Sequence, residues 1–133
     1  MNLIVTLDDG NGMMFNHRRQ SRDRILNERI LGVCKKDLWV SSYTAKLFDG
    51  TDAELHVCEN FLDQAGDGDW CFAEDASLTP YLEKIETVVI YRWNRVYPSD
   101  RVFDLNLSGW NCRSQTDFAG YSHEKITEEV YVR

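Results

Sequence analysis

The chain has 133 residues, of which 43% are hydrophobic and 28% are charged, and its formal net charge is −7. This length suits one domain (residues 1–133), and the acidic balance argues against nucleic acid as a partner of the whole surface. No apolar run approaches the roughly 20 residues of a membrane span, and no signal peptide is visible. We therefore expect a cytoplasmic protein without a membrane partner, whose oligomeric state stays open.

The chain begins with a strand pattern. Residues 2–7 form an apolar run without strict alternation, which predicts a strand buried on both faces. Residues 8–12 are turn formers, and Met13, Met14 and Phe15 then form an apolar cluster within the predicted loop. This cluster either plugs the core or forms one wall of a ligand pocket.

A helix is predicted next. Ser21 is a good N-cap, and Asp23 in the first turn suits the positive end of the helix dipole. Gly32 is expected to end the helix. Before it, apolar residues recur at helical spacing, namely Ile25, Leu26, Ile30 and Leu31.

Arginines are concentrated around the start of this helix. Between residues 17 and 29 five arginines face only two acids, so this segment carries a local charge of +3 and the rest of the chain carries −10. Such a cluster is commonly a solvated, ion-paired face, but beside a helix N-terminus it can also hold a phosphate or a carboxylate. The five are Arg18, Arg19, Arg22, Arg24 and Arg29.

The rest of the chain predicts an α/β fold. Strands are predicted at 38–40, 54–58, 70–73 and 86–94, with short helices at 43–48, 60–65 and 77–82 between them. This alternation indicates a sheet with parallel strands. Two further strands, 110–117 and 126–132, have no helix between them and therefore predict an antiparallel hairpin at one end of a mixed sheet.

No short motif assigns a chemistry to the chain. The three histidines lack metal-ligand spacing and the four cysteines form no C-x-x-C pair, so no metal site is predicted. The sequence contains no nucleophile-elbow G-x-S-x-G, no P-loop and no G-x-G-x-x-G.

Several segments, taken in order, resemble dihydrofolate reductases. Residues 87–91, 100–104, 108–110, 117–118 and 130–133 are similar to the last third of those enzymes. Residues 3–7, 21–23 and 38–48 are similar to their first strand, their P-x-D helix and the strand and helix that follow. The resemblance implies a dihydrofolate-reductase-like three-layer sandwich with a mixed central sheet and a C-terminal antiparallel hairpin.

The same resemblance implies roles for a few residues. Asp23 takes the place of the acid that binds the pterin ring and assists its protonation. Ser42 and Thr44 take places in the cofactor's phosphate site, Ser42 standing where the family has an arginine. Glu74 and Asp75 replace a glycine pair, and their carboxylates would repel the pyrophosphate of NADPH.

These observations predict a shortened, divergent relative with a degenerate dinucleotide site. We expect it to bind a small anionic, nucleotide-like or pterin-like ligand beside Asp23, through Met14, Phe15, Arg18, Arg19 and Arg22. One alternative is a non-catalytic interaction protein that uses the arginine-rich loop, and another is an NADPH-dependent reductase with an altered cofactor mode. Small bacterial proteins of this appearance are sometimes labelled ribonuclease Z, but the H-x-H-x-D-H zinc motif of that family is absent.

Overall fold

The structure, a computed structural model, describes residues 1–133. None of its helices combines the length and apolar character needed to cross a membrane. The strands are β1 (Asn2–Leu7), β2 (Gly12–Phe15), β3 (Arg18–Arg19), β4 (Asp37–Val40), β5 (Glu54–Val57), β6 (Trp70–Phe72), β7 (Thr87–Arg92), β8 (Arg101–Val102), β9 (Asn111–Phe118) and β10 (Ile126–Val132). The helices are α1 (Arg24–Val33), α2 (Ser42–Ala45) and α3 (Phe61–Gln64), with 3-10 turns at Lys46–Phe48 and Thr79–Lys84.

Seven strands form a mixed sheet in the order β5-β4-β6-β1-β7-β10-β9. Strand β1 pairs in parallel with β6 and β7, and β4 pairs in parallel with β5 and β6. Strand β10 is antiparallel to both β7 and β9. The mixed sheet and its C-terminal antiparallel hairpin are therefore confirmed, and the first strand lies near the centre, as its apolar run predicts.

Both faces of the sheet are covered, which makes it the middle layer of a three-layer sandwich. On one face, α1 packs Leu26 and Ile30 against Ile4, Phe72 and Val89 of the sheet. On the other face, a second apolar cluster joins side chains of β1 and β2 to α3, including Leu3, Val5, Met14, Phe61 and Leu62.

The segment after β1 is more regular than the sequence predicts. Strands β2 and β3 form a hairpin that joins β8 in a small three-stranded sheet. Its turn residues, Asn16 and His17, both have positive φ values of 52° and 58°. Met14 is buried in the core, whereas Phe15 is 48% exposed. The apolar cluster is therefore split between core and surface.

The N-cap of helix α1 lies two residues later than predicted. Asp23 is the N-cap, because its Oδ1 accepts hydrogen bonds from the backbone N–H groups of Ile25 (2.9 Å) and Leu26 (3.2 Å). The predicted N-cap, Ser21, does not cap the helix, and its hydroxyl is hydrogen-bonded to His123. Gly32 lies inside the helix rather than after it.

Candidate functional site

The largest cavity lies at the carboxyl ends of the parallel strands β4, β5 and β6. Ser41, Glu59 and Glu74, which follow these three strands, line it together with Phe61 and Tyr81. Its volume is about 450 Å³, within the range of small-molecule sites. Ligands of open α/β sheets bind at this edge, so the cavity is the first candidate site.

Carboxylates dominate the charge of this cavity. Glu59, Asp63, Glu74 and Asp75 all line it, and His17 is the only basic side chain among the lining residues. Glu74 and Asp75 have cationic partners, but Glu59 and Asp63 have none, so these two carboxylates attract cations and repel phosphate groups.

Two of these carboxylates are held in the charged form by hydrogen bonds. The hydroxyl and the backbone N–H of Ser42 donate to Glu59 and lower the pKa of its carboxyl group. Burial raises the pKa of Asp75, but bonds from His17 (2.8 Å) and Arg101 (2.7 Å) outweigh it, so that pKa is lowered overall. The same contact raises the pKa of His17.

Glu74, which lines the cavity, forms a largely buried ion pair with Arg19. Arg19 donates through Nε and Nη2 to the two oxygens of Glu74, each at 2.9 Å, and its guanidinium lies 4.2 Å from the ring centre of Tyr43. The hydroxyl of Thr44 donates to the same carboxylate at 2.8 Å. Thr44 and Arg19 therefore both donate side-chain hydrogen bonds to Glu74.

Asp23 lies in a separate region, at the start of α1. Its carboxylate is 2% exposed and, besides the two helix N–H groups, accepts bonds from the backbone N–H groups of Tyr121 (3.0 Å) and Ser122 (2.9 Å). His123 Nδ1 lies 2.9 Å from Oδ2. Burial alone would raise the pKa of Asp23, but the hydrogen bonds lower it by a larger amount. The net pKa is below the ordinary value of 3.8, so the carboxylate is ionised at neutral pH.

A cationic cleft of about 420 Å³ adjoins Asp23. Arg22, Arg24 and Lys46 line this cleft. Neither arginine forms an ion pair with Asp23, whose side-chain hydrogen-bond partners are His123 and Ser122. A role for Asp23 in protonating a bound ring stays a prediction, and a ligand would reach its carboxylate only by displacing a protein donor.

The sequence-predicted site residues thus fall in three places. Met14 and Thr44 line the large cavity, and Ser42 binds Glu59 at its rim. Phe15, Arg18 and Arg19 line a shallow depression of about 330 Å³. Arg22 and Asp23 line the cationic cleft.

Sequence reasoning missed Glu59, Asp63 and Tyr81 in the large cavity and His123 beside Asp23. The acids offer no motif, but Glu59 directly follows the predicted strand 54–58, whose carboxyl end lies at the binding edge, and this position is a usable signal. His123 offers none, because only the β9–β10 hairpin brings it to a residue 100 positions away.

Three possible metal ligands lie close together away from these sites. Asp37 and Glu54 are neighbours in the β4–β5 register, and His56 lies two residues further along β5. Their ligand atoms lie within 4.8 Å of one another, and Asp37 and Glu54 are exposed. His56 Nε2 lies 2.9 Å from Asp37 Oδ1, and the ring stacks on Trp39 at 4.5 Å. The absence of a metal site stays a prediction.

Comparison with known proteins identifies the fold. No protein-family model and no curated protein matches this chain. Among solved structures, it is similar to a dihydrofolate reductase from Enterococcus faecalis complexed with NADP(H) and RAB-propyl, with a TM-score of 0.69 and 8% sequence identity. The match covers 99% of this chain and 95% of the reductase. At this identity the similarity shows the fold alone, and the fold is dihydrofolate-reductase-like.

Proposed function

We propose that this protein of dihydrofolate-reductase-like fold binds a small organic cation in the large cavity and does not use a dinucleotide there. The observation that carries the proposal is the charge of the cavity. Four carboxylates line a space of about 450 Å³, and no lysine or arginine is among its lining residues. Glu74 and Asp75 already have cationic partners in the protein, but Glu59 and Asp63 have none, and a ligand with one or more amino groups would neutralise these two.

The same residues argue against a bound pyrophosphate. Dinucleotide sites cradle the pyrophosphate with glycine backbone and a helix N-terminus. Here Glu74 and Asp75 line the space instead, and Arg19, the nearest buried cation, is already bonded to Glu74. This supports the expectation of a degenerate dinucleotide site.

The cavity walls also suit an organic cation. Phe61 and Tyr81 line the space beside the acids. Aromatic faces attract cations by about 0.5–2 kcal/mol each, and they pack against the alkyl parts of an amine. A short diamine or polyamine meets both requirements.

Thermal unfolding with added ligands tests the proposal. A ligand at about a hundred times its dissociation constant adds about 2.7 kcal/mol to the free energy of unfolding. We expect putrescine or spermidine to raise the melting temperature and NADPH to leave it unchanged. Stabilisation by NADPH alone would overturn the proposal and favour the reductase alternative.

A pair of double variants separates site binding from general charge effects. Glu59→Gln with Asp63→Asn removes two acids that line the cavity. Glu28→Gln with Asp49→Asn removes two exposed acids outside it. We expect the first pair to lose most of the amine-induced stabilisation and the second to keep it, although the net charge changes equally.

A second candidate function is supported by the surface of the β2–β3 hairpin. Arg18 is exposed beside Phe15, which is 48% exposed, and both line the depression of about 330 Å³. A paired cation and aromatic ring suit an acidic protein partner. The anionic or pterin-like ligand predicted from the sequence would bind at a different position, in the cationic cleft beside Asp23.

A further inference from the structure

Ser21, His123 and Asp23 form a hydrogen-bonded chain at the start of α1. Ser21 Oγ lies 3.0 Å from His123 Nε2, and His123 Nδ1 lies 2.9 Å from Asp23 Oδ2. These distances fall in the range that joins nucleophile, base and orienting acid in serine hydrolases. The three residues lie outside the proposed cation cavity, so the inference is independent of it.

The partners of the ring determine its tautomer. An ionised carboxylate can only accept a hydrogen bond, so the proton of neutral His123 resides on Nδ1, facing Asp23. Nε2 is then an acceptor, and the hydroxyl of Ser21 is its nearest donor, with Tyr97 Oη at 3.3 Å as the second. The imidazole is 5% exposed and packs on the ring of Trp93 at 4.6 Å, which fixes its orientation.

Two backbone donors are free beside the hydroxyl. The N–H groups of Ser21 and Arg22 bond to no acceptor within the protein. In acyl-transfer sites, the negative oxygen of the tetrahedral intermediate is stabilised by backbone N–H groups, often that of the residue after the nucleophile. Neither N–H group would have to give up a protein acceptor in order to bind such an oxygen.

The space around Ser21 limits the substrate. Ser21 lines a gap of about 10 Å³ that shares Arg22, Asn27 and Leu47 with the cationic cleft of about 420 Å³. The gap has room for about one water molecule, so the acyl group has to reach the hydroxyl from the side of the cleft, which leaves little space for a long chain at the serine. Positive charge in the cleft favours a substrate with a negative group.

We propose that Ser21 is the nucleophile of a hydrolytic site for short-chain acyl esters that carry a negative charge, with His123 as general base and Asp23 as its positioning residue. Ser21 Oγ attacks the carbonyl carbon, and its proton passes to His123 Nε2. The bond from carbon to the alcohol oxygen then breaks, and the alcohol leaves with that proton. Water attacks the acyl-serine through the same base, releases the carboxylic acid and restores the hydroxyl of Ser21.

Covalent labelling tests the nucleophile. The intact protein is treated with a fluorophosphonate and the modified peptide is identified by mass spectrometry. We expect one adduct on Ser21, which Ser21→Ala abolishes and Ser114→Ala, a change of an exposed serine on β9, retains. Hydrolysis of 4-nitrophenyl acetate should fall at least tenfold in Ser21→Ala. No adduct on Ser21, or unchanged hydrolysis in Ser21→Ala, would overturn the proposal.

Ser21→Cys tests the base and its positioning residue. A thiol paired with an imidazole ionises at lower pH than a free thiol, so iodoacetamide should alkylate the introduced thiol with an apparent pKa clearly below about 8.5. Adding Asp23→Asn should move that pH profile upward. A profile like that of a free thiol would show that His123 does not act as a base.

Two model esters test the preference for charge. The cleft cations predict faster hydrolysis of the 4-nitrophenyl monoester of succinate, which carries a carboxylate, than of the acetate. Arg22→Gln should reduce that difference. Equal or slower hydrolysis of the succinate would overturn the assigned substrate class.

Discussion

Arg19 donates two hydrogen bonds to Glu74, each 2.9 Å long, across 55 positions of the sequence. The side chains are 17% and 5% exposed, so both charges are almost withdrawn from water. In the sequence, Arg19 belongs to a basic cluster that could hold an anion, and the resemblance implies that Glu74 stands where dihydrofolate reductases have a glycine. The structure pairs the two, and each neutralises the other.

Breaking this pair should destabilise the fold. Arg19→Met leaves the Glu74 carboxylate buried without its cation, which typically costs about 3 kcal/mol or more. Adding Glu74→Gln should recover a large part of the loss, because the uncompensated charge is then gone. Urea unfolding of the two variants measures this, and equal stability of the single and double variants would contradict the pairing.

Asp23 should stabilise the protein in a pH-dependent way. Its pKa is lowered from the ordinary value of 3.8, so its contribution is fully present above about pH 4 and is lost as the pH falls through the folded-state pKa. We expect Asp23→Asn to cost about 2 kcal/mol at pH 7 and progressively less below pH 4. Chemical unfolding from pH 7 to pH 2 measures the difference, and Asp67→Asn, a change of an exposed turn acid, should show neither effect.

Gly120 should tolerate no side chain. A Cβ atom there would lie 2.6 Å from Asp23 Oδ2 and 3.0 Å from Ile126 Cδ1, so Gly120→Ala must push the loop off the carboxylate. We expect a loss of about 1–3 kcal/mol in thermal unfolding. Gly109→Ala is the matched control, because a Cβ at Gly109 meets nothing within 4 Å. Equal melting temperatures for the two variants would contradict the close packing of this loop.

The cysteines should differ in reactivity. Cys112 is exposed, whereas Cys34 and Cys71 are buried and burial raises the pKa of Cys71 to about 12. Thiolate is the reactive form, so we expect rapid reaction of Cys112 with Ellman's reagent and reaction of Cys34 and Cys71 only on unfolding. Fast reaction of all four thiols in the native protein would contradict the core assigned here.

The sheet was predictable because the hydrophobic pattern within each segment is enough to indicate a strand. The apolar run at 2–7, the strand pattern at 86–94 and the alternation at 126–132 each suffice to predict a strand, and the observed strands are Asn2–Leu7, Thr87–Arg92 and Ile126–Val132. The β2–β3 hairpin was not predictable, because its strands are short and its turn places Asn16 and His17 at positive φ. The N-cap was misplaced because Ser21 and Asp23 both suit that position, and the distant His123 binds the serine.

The candidate site was less predictable than the fold. Sequence reasoning placed Met14 and Arg22 around one ligand beside Asp23, whereas in the structure Met14 lines the large cavity and Arg22 lines the cationic cleft. The reason is that the charged side chains of this region have partners that are distant in the sequence and that only the tertiary fold brings close. Nothing local to Arg19 indicates that its counter-ion follows β6, and nothing local to Asp23 indicates a histidine from the last hairpin.

Calorimetric titration of the large cavity tests the central claim most directly. Spermidine and NADPH are titrated separately into the protein at low salt, where electrostatic binding is strongest. The account predicts saturable spermidine binding at one site per chain, at least tenfold weaker in the Glu59→Gln, Asp63→Asn variant, and no saturable binding of NADPH. Saturable NADPH binding, with spermidine affinity unchanged in that variant, would contradict it.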